Sequence, residues 1–310
     1  MNKNEVTIFS PATVSNISCG FDVLGLALEC ICDKMVLRKT KKKGIRITRI
    51  TGANLPMDNK NNVAGHVAGI VLEAGGADFG LDIEIEKCVK PGSGIGSSGS
   101  SSAGAAFGAN YFLEKKFSGE ELVPFAMEGE CIVTGERIAD NVSPALLGGM
   151  VLIRNYQPLD LVRISVPKNL FVVVIHPQIE IKTCVARAVL PEKVSLKTAT
   201  QQAANLGGLI SGLHTEDYAG IAASLNDFLA EPHRSKLIPG YDDVCQAAID
   251  AGALGGGISG SGPSIYHLCQ GKKIARQVHG KIAELYAKTG IDFKMYISRV
   301  ARTGAYAIEQ

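Results

Sequence analysis

The sequence predicts an α+β protein of two domains, and three observations carry that prediction. The chain has 310 residues, long for one small domain and comfortable for two. Its apolar fraction of 46% against 20% charged supplies an ordinary core. Stretches of period-2 apolar alternation share the chain with stretches of helical spacing, and in the second half the two alternate. The boundary is expected around Ser165, giving domains 1–164 and 165–310.

In chain order, Val6-Thr7-Ile8-Phe9 reads as a strand stopping at Pro11, which cannot donate to a ladder. A long connection of short polar side chains follows, with Asn16 and Asp22 bracketing a tight Cys19-Gly20 turn. Asn and Asp favour turns, and beside a glycine they also suit an ammonium group or a hydroxyl. Leu26 to Leu37 reads as a strand with Asp33 and Lys34 inside it, and Ile45, Ile47 and Ile50 mark another. Asn61-Asn62-Val63 opens a helix to about Ala74, with Asn62 as a cap and Gly75-Gly76 as the stop. Leu81, Ile83 and Ile85 alternate as a strand. Ala103 to Lys115 reads as a helix of small residues, and Glu120 to Glu136 keeps helical spacing. A polar loop and short helix end at Gly148-Gly149 before strand Met150 to Arg154.

Leu161 to Val166 and Leu170 to Ile175 read as strands, the second apolar enough to be central in its sheet. Thr183 to Val189 is a helix carrying Arg187. Helical spacing from Ser195 to Leu229 breaks near Thr215, leaving His214 at the surface, and His233-Arg234-Ser235-Lys236 reads as a solvated basic cluster. Helix Tyr241 to Ala251, a glycine loop over Gly255 to Ser264, strand Ile265 to Cys269, helix Ile274 to Thr289 and strand Phe293 to Val300 close the chain.

A net charge of +2 argues for neither nucleic acid nor a membrane surface as partner. No apolar signal segment opens the sequence and no run reaches membrane-spanning length. The eight cysteines are scattered; only Cys30 and Cys32 are close, at a spacing that suits neither zinc nor a redox pair. Free thiols in a reducing cytoplasm are expected.

The chemistry is concentrated in Pro91 to Gly104, a Gly/Ser run between a strand and a helix. Glycines let backbone approach a ligand, and a helix N-terminus offers unpaired N–H groups and partial positive charge. Together they make an anion site, most simply for phosphate. It is not a Walker A loop, since no Gly-Lys-Ser/Thr closes it. Gly94, Gly96 and Gly99 satisfy G-x-G-x-x-G, but Lys90 and Pro91 separate the run from its strand, and no acidic residue ends a clear second strand beyond it. A flexible linker would not lead directly into a helix of small residues. Glu130 is either one more solvated carboxylate or a Mg²⁺ ligand beside the loop.

Three stretches in order resemble motifs of the GHMP small-molecule kinases: Pro11 to Leu28, Pro91 to Ser102 and Gly255 to Ser264. The resemblance covers essentially the whole chain. Within the family, Pro11-Ala12-Thr13 with Asn16, Gly20-Phe21-Asp22, Asp140-Asn141-Val142, Thr183 with Arg187, and Arg234 before Ile238-Pro239-Gly240 are similar to the homoserine kinase branch. The resemblance implies the two-domain GHMP kinase fold, an N-terminal ribosomal-S5-like ATP-binding domain and a C-terminal ferredoxin-like domain. It implies ATP-dependent phosphorylation of the L-homoserine hydroxyl, Mg²⁺, and a homodimer. Asn16 and Asp22 would hold the substrate's ammonium and hydroxyl ends, and Arg187 and Arg234 its carboxylate, with Thr183 and Gly260 beside them. Pro91, Gly92, Ser93, Gly94, Ile95, Gly96, Ser97, Ser98, Gly99, Ser100 and Ser101 would wrap the phosphates, with Asn62 near adenine. Ser98 and Glu130 would bind Mg²⁺, and Asn141 would lie by the attacking hydroxyl.

Asp140 is open as either a base or a loop-orienting residue. Two departures stand out: Ser18-Cys19 replaces the family's Gly-Pro, and Ile138 replaces a histidine. Another GHMP kinase of the mevalonate type, or a non-catalytic ATP or amino-acid sensor of this fold, remains the alternative.

Overall fold

The computed structural model describes residues 4–308. The first half contains β1 (Glu5–Ser15), β2 (Leu24–Thr40), β3 (Gly44–Thr51), α1 (Val63–Gly75), β4 (Gly80–Glu86), α2 (Ser97–Phe112), α3 (Gly119–Thr134), α4 (Val142–Leu147), β5 (Met150–Tyr156) and β6 (Leu159–Ile164). The second half contains β7 (Leu170–Pro177), α5 (Thr183–Ala188), α6 (Leu196–Thr215), α7 (Tyr218–Ser224), α8 (Glu231–Arg234), α9 (Tyr241–Asp250), β8 (Gly255–Ile258), β9 (Ile265–Gln270), α10 (Lys272–Tyr286), β10 (Phe293–Arg299) and β11 (Tyr306–Ile308). Among the described residues no helix is long and apolar enough to cross a membrane.

The first sheet runs β11-β1-β2-β4-β3, with β5 and β6 continuing from the start of β2. Its inner face is written in two alternations, Met35 and Leu37 on β2 and Leu81, Ile83 and Ile85 on β4, which pack under α1 to α4. The second sheet runs β10-β7-β9-β8. Taken by chain position, that is fourth, first, third, second, the ferredoxin-like arrangement with two helical crossovers. β7 is central and buried along its whole length, as its apolar sequence predicts. Its Val173 and Ile175 face α9 and α10, while Val172 and Val174 face α6 and α7. The latter core also takes in Ala12, Val14, Leu24 and Leu26 from the first sheet, so one apolar cluster joins the halves.

Three expectations are corrected. β1 does not stop at Pro11: a register shift between Pro11 and Thr13 absorbs the proline, and the strand runs on to Ser15. Helix α2 begins at Ser97, not Ala103. Gly and Ser have poor helix propensity, but here packing overrides it. A Cβ on Gly108 would sit 2.7 Å from the Leu37 side chain, so the small residues let α2 lie close on the sheet. Finally, β10 is not the last strand, because β11 returns to pair with β1.

Candidate active site

A cleft of about 370 Å³ lies where the loops of the two halves meet. One wall is the Gly/Ser loop. Gly94 and Gly96 take positive φ, and neither tolerates a side chain: a Cβ would lie 2.6 Å from the Gly262 carbonyl at Gly94, and 1.9 Å from Thr13 Oγ1 at Gly96. The second glycine loop clamps the first, Ser259 Oγ donating to the Gly94 carbonyl at 2.6 Å and Ser264 Oγ to the Ser93 carbonyl at 2.6 Å. Gly96 precedes α2 and gives it no side-chain cap, so the first N–H groups of that helix are left for a ligand.

Beneath the loop, Lys87 and Asp33 form a fully buried ion pair. Lys87 Nζ also donates to the Ser97 carbonyl at 2.9 Å and to Ser101 Oγ at 2.9 Å. Asp33 Oδ1 accepts the N–H groups of Cys88 at 2.9 Å and Val89 at 3.0 Å. Burial pulls the Lys87 ammonium below its usual range, against the opposing attraction of Asp33. Such a pair is tolerable only when every remaining valence is satisfied, as here.

On the acidic side, Glu130 is buried on α3 and projects into the cleft, and its Oε1 has no hydrogen-bond partner. Burial raises its pKa to about 7, with the neighbouring Ser98 hydroxyl and Lys87 pulling the other way. Among the described residues no group of three or more His, Cys, Asp or Glu is placed to hold a metal ion. A buried carboxylate oxygen without a partner, next to a hydroxyl, nevertheless fits a hard cation completed by phosphate and water oxygens. Asp140 is also buried, and its pKa rises to about 7 through desolvation, reinforced by Asp22 and Glu130. Asn141 is pinned: its Oδ1 accepts from Thr13 Oγ1 at 2.6 Å, and its Nδ2 donates to Ser15 Oγ at 3.0 Å and Asp140 Oδ1 at 3.3 Å.

On the opposite side, Asn16 Nδ2 donates to the Gly260 carbonyl at 2.8 Å, and Asn16 Oδ1 accepts the Asp22 N–H at 3.1 Å. Asn16, Ile17, Ser18 and Asp22 all take positive φ, a strained run of non-glycine backbone of the kind found at functional sites. Arg187 bridges Asp22 Oδ2 at 2.6 Å and Glu136 Oε2 at 2.5 Å. Arg234 does not belong to a solvated cluster: it is 4% exposed, donating from Nε to the Ala186 carbonyl at 2.9 Å and from Nη1 to the Gly260 carbonyl at 3.0 Å. Among the described residues no carboxylate pairs with it, and desolvation lowers its pKa. Both guanidiniums approach the Phe21 ring, Arg187 at 5.6 Å and Arg234 at 5.1 Å from its centroid.

The cleft thus gathers Asn16, Asp22, Asn62, Pro91 to Gly94, Gly96 to Ser98, Ser101, Glu130, Asp140, Asn141, Thr183, Arg187, Arg234 and Gly260. Ile95, Gly99 and Ser100 do not line it: Ile95 is in the joining core, Gly99 packs on Asn141, and Ser100 Oγ donates to the Ser10 carbonyl. Asn62 does cap α1, accepting the Gly65 N–H at 3.1 Å, and stays on the cleft wall. Ile138 lines the cleft too. Sequence reasoning missed Lys87 and Ser15, and named Thr13 and Phe21 only as motif members without a role. Lys87 had a signal: it continues the inward alternation of Leu81, Ile83 and Ile85, so a lysine occupies a core position.

Residues 62–149 match the family described as GHMP kinases N terminal domain, and 209–288 match GHMP kinases C terminal. A homoserine kinase of Chlorobium phaeobacteroides is 44% identical, the alignment covering 96% of this chain and 97% of that protein. A homoserine kinase of Halorubrum lacusprofundi is 36% identical over 98% of this chain and all of its own length. The crystal structure of homoserine kinase from Cytophaga hutchinsonii superposes with a TM-score of 0.96 at 44% identity, over 99% of this chain and 98% of that one.

Proposed function

The chain belongs to the homoserine kinases of the GHMP kinase family, and from that premise we propose how its cleft performs the reaction. The enzyme uses ATP to phosphorylate the side-chain hydroxyl of L-homoserine, giving O-phospho-L-homoserine, the compound from which threonine is made. The observation that carries the residue assignment is that two guanidiniums and the uncapped N-terminus of α2 share one cleft.

The N–H groups of α2 and the 91–98 loop receive the phosphates, with Asn62 on the wall toward the base. Ser98 and Glu130 would hold Mg²⁺, which would supply charge neutralisation for the transferring phosphoryl group. Arg234 and Arg187 take the substrate carboxylate, Arg234 as the buried cation without a counter-ion. Asn16, Asp22, Thr183 and Gly260 surround the rest of the amino acid. Asn141, fixed by Thr13 and Ser15, orients the attacking hydroxyl, so that catalysis is mainly placement and charge stabilisation. The hydroxyl proton leaves to phosphate or water. The domain division at 164/165 belongs to the same reading, with β11 as a strand returning to the first domain. So does a cytoplasmic location, which eight free cysteines support. A homodimer rests on the family alone.

A coupled assay of ADP release with L-homoserine, mevalonate and galactose tests the function. Turnover with homoserine is expected; preferred turnover of mevalonate, or Mg·ATP binding without ADP release on any of the three, would overturn it.

Asp140→Asn separates base from positioning. A general base contributes about 10² to 10⁴-fold, whereas a positioning role predicts a kcat loss below about tenfold; a larger loss with unchanged binding would favour a base. The same variant has a signed pH signature. The folded carboxyl titrates near 7 and the unfolded one at its ordinary value near 3.8, so Asp140 costs stability increasingly as pH rises between them. Thermal melts should show Asp140→Asn gaining on the wild type at pH 8 and losing that gain at pH 4. A pH-independent difference would contradict the burial argument.

Glu136→Gln is expected to lower the homoserine KM by up to about fivefold, since an exposed pair is worth about 0.2–1 kcal/mol and the substrate carboxylate must displace it from Arg187. A raised KM would show instead that Glu136 holds Arg187 in its working position.

A further inference from the structure

A second cavity, of about 360 Å³, lies where the β6–β7 connection meets the segment after β10, and shares no lining residue with the cleft. Arg163, Lys168, Arg299 and Arg302 line it, against the single carboxylate of Glu29. Among the described residues none of these four cations forms an ion pair. Arg38, Arg46, Arg137 and Arg154 each hold a carboxylate, whereas here four cations without one gather around a single concavity.

The walls are fixed in place. Arg163 Nη1 donates to the Leu147 carbonyl at 3.3 Å, Arg299 lies 5.2 Å from the Phe171 ring, and the Gly149 N–H donates to the Ala301 carbonyl at 2.6 Å. Gly148 has no room for a side chain, since a Cβ there would lie 2.5 Å from the Thr303 carbonyl carbon. Four like charges around one concavity repel, and concentrate a positive potential that a counter-ion relieves. Three guanidiniums favour oxygens of phosphate or carboxylate groups, which they bind in pairs.

We propose that this cavity is a second ligand site, for a small anion bearing two or more phosphate or carboxylate charges. α4 runs from Asn141 in the cleft to Gly148 in the cavity wall, about 9 Å for its six residues, so the ligand would sit at the far end of the helix that carries the hydroxyl-orienting residue.

The test is calorimetric titration of the full chain with pyrophosphate and, separately, tricarballylate. The cleft is first saturated with AMP-PNP and L-homoserine in matched Mg²⁺ buffer, so binding there does not contribute and its own failure is seen in the saturation step. One site per chain is expected, and Lys168→Gln with Arg302→Gln, both exposed, should weaken it at least about tenfold. Arg163→Gln should weaken it likewise. Binding of pyrophosphate alone identifies a phosphorylated ligand, and of tricarballylate alone a polycarboxylate. Binding of neither, or equal binding by wild type and variants, overturns the proposal.

Discussion

Asp33→Asn is expected to lower the melting temperature by about 10 °C, because it leaves the buried Lys87 ammonium uncompensated at a cost of about 3–5 kcal/mol, and each kcal/mol moves a domain of this size by about 2–4 °C. The effect is large because the Lys87 side chain is buried and because three groups share it: Asp33, the Ser97 carbonyl and Ser101 Oγ. Those contacts also set the height of the first turn of α2 over the cleft. Mg·ATP binding should therefore weaken together with stability. Asp33→Asn with Lys87→Met removes both charges and should recover most of the melting temperature, since apolar replacement of a buried pair is often near neutral. It should not recover nucleotide affinity. Scanning calorimetry and a nucleotide titration on the three proteins decide the matter: if Asp33→Asn melts with the wild type, the pair does not support the loop.

Arg234→Met is expected to reduce kcat/KM for homoserine by about 10² to 10³-fold while Mg·ATP binding stays unchanged, because a desolvated charge pair lost at a binding site costs about 2–5 kcal/mol. The guanidinium is buried and fixed through two backbone carbonyls, so it reaches the cleft already oriented and without a counter-ion. Lysine should not restore activity, as it lacks the planar fork that makes both backbone contacts and leaves a further N–H pair for a carboxylate. Unchanged homoserine saturation in Arg234→Met would remove Arg234 from the substrate site.

Much of this was legible before any coordinates. The alternation in β4 and the apolar β7 announced their strands, and Gly94 and Gly96 marked backbone that must bend and touch its neighbours. What was hidden was set by tertiary context. The serines of α2 look like loop because their propensity is poor, and only close packing on β1 and β2 makes them helical. Pro11 looks like a strand end because a bulge cannot be read from one strand. Arg234 looks solvated among His233, Ser235 and Lys236, and only the approach of the second glycine loop buries it. Asp33 and Lys87 are 54 positions apart, and nothing local predicts that β2 and β4 bring them together.

The central claim is that the cleft recognises an amino acid by its carboxylate while presenting its hydroxyl to a phosphate loop. The most direct measurement compares kcat/KM for L-homoserine with that for 3-aminopropan-1-ol, which keeps the amine and hydroxyl and lacks the carboxylate, in the wild type and in Arg234→Met. The account predicts a preference of about 10³-fold or more in the wild type, since a site built to bind a charged group rejects the analogue lacking it, and its collapse in the variant. Similar wild-type rates on the two alcohols, or a preference that survives the substitution, would contradict it.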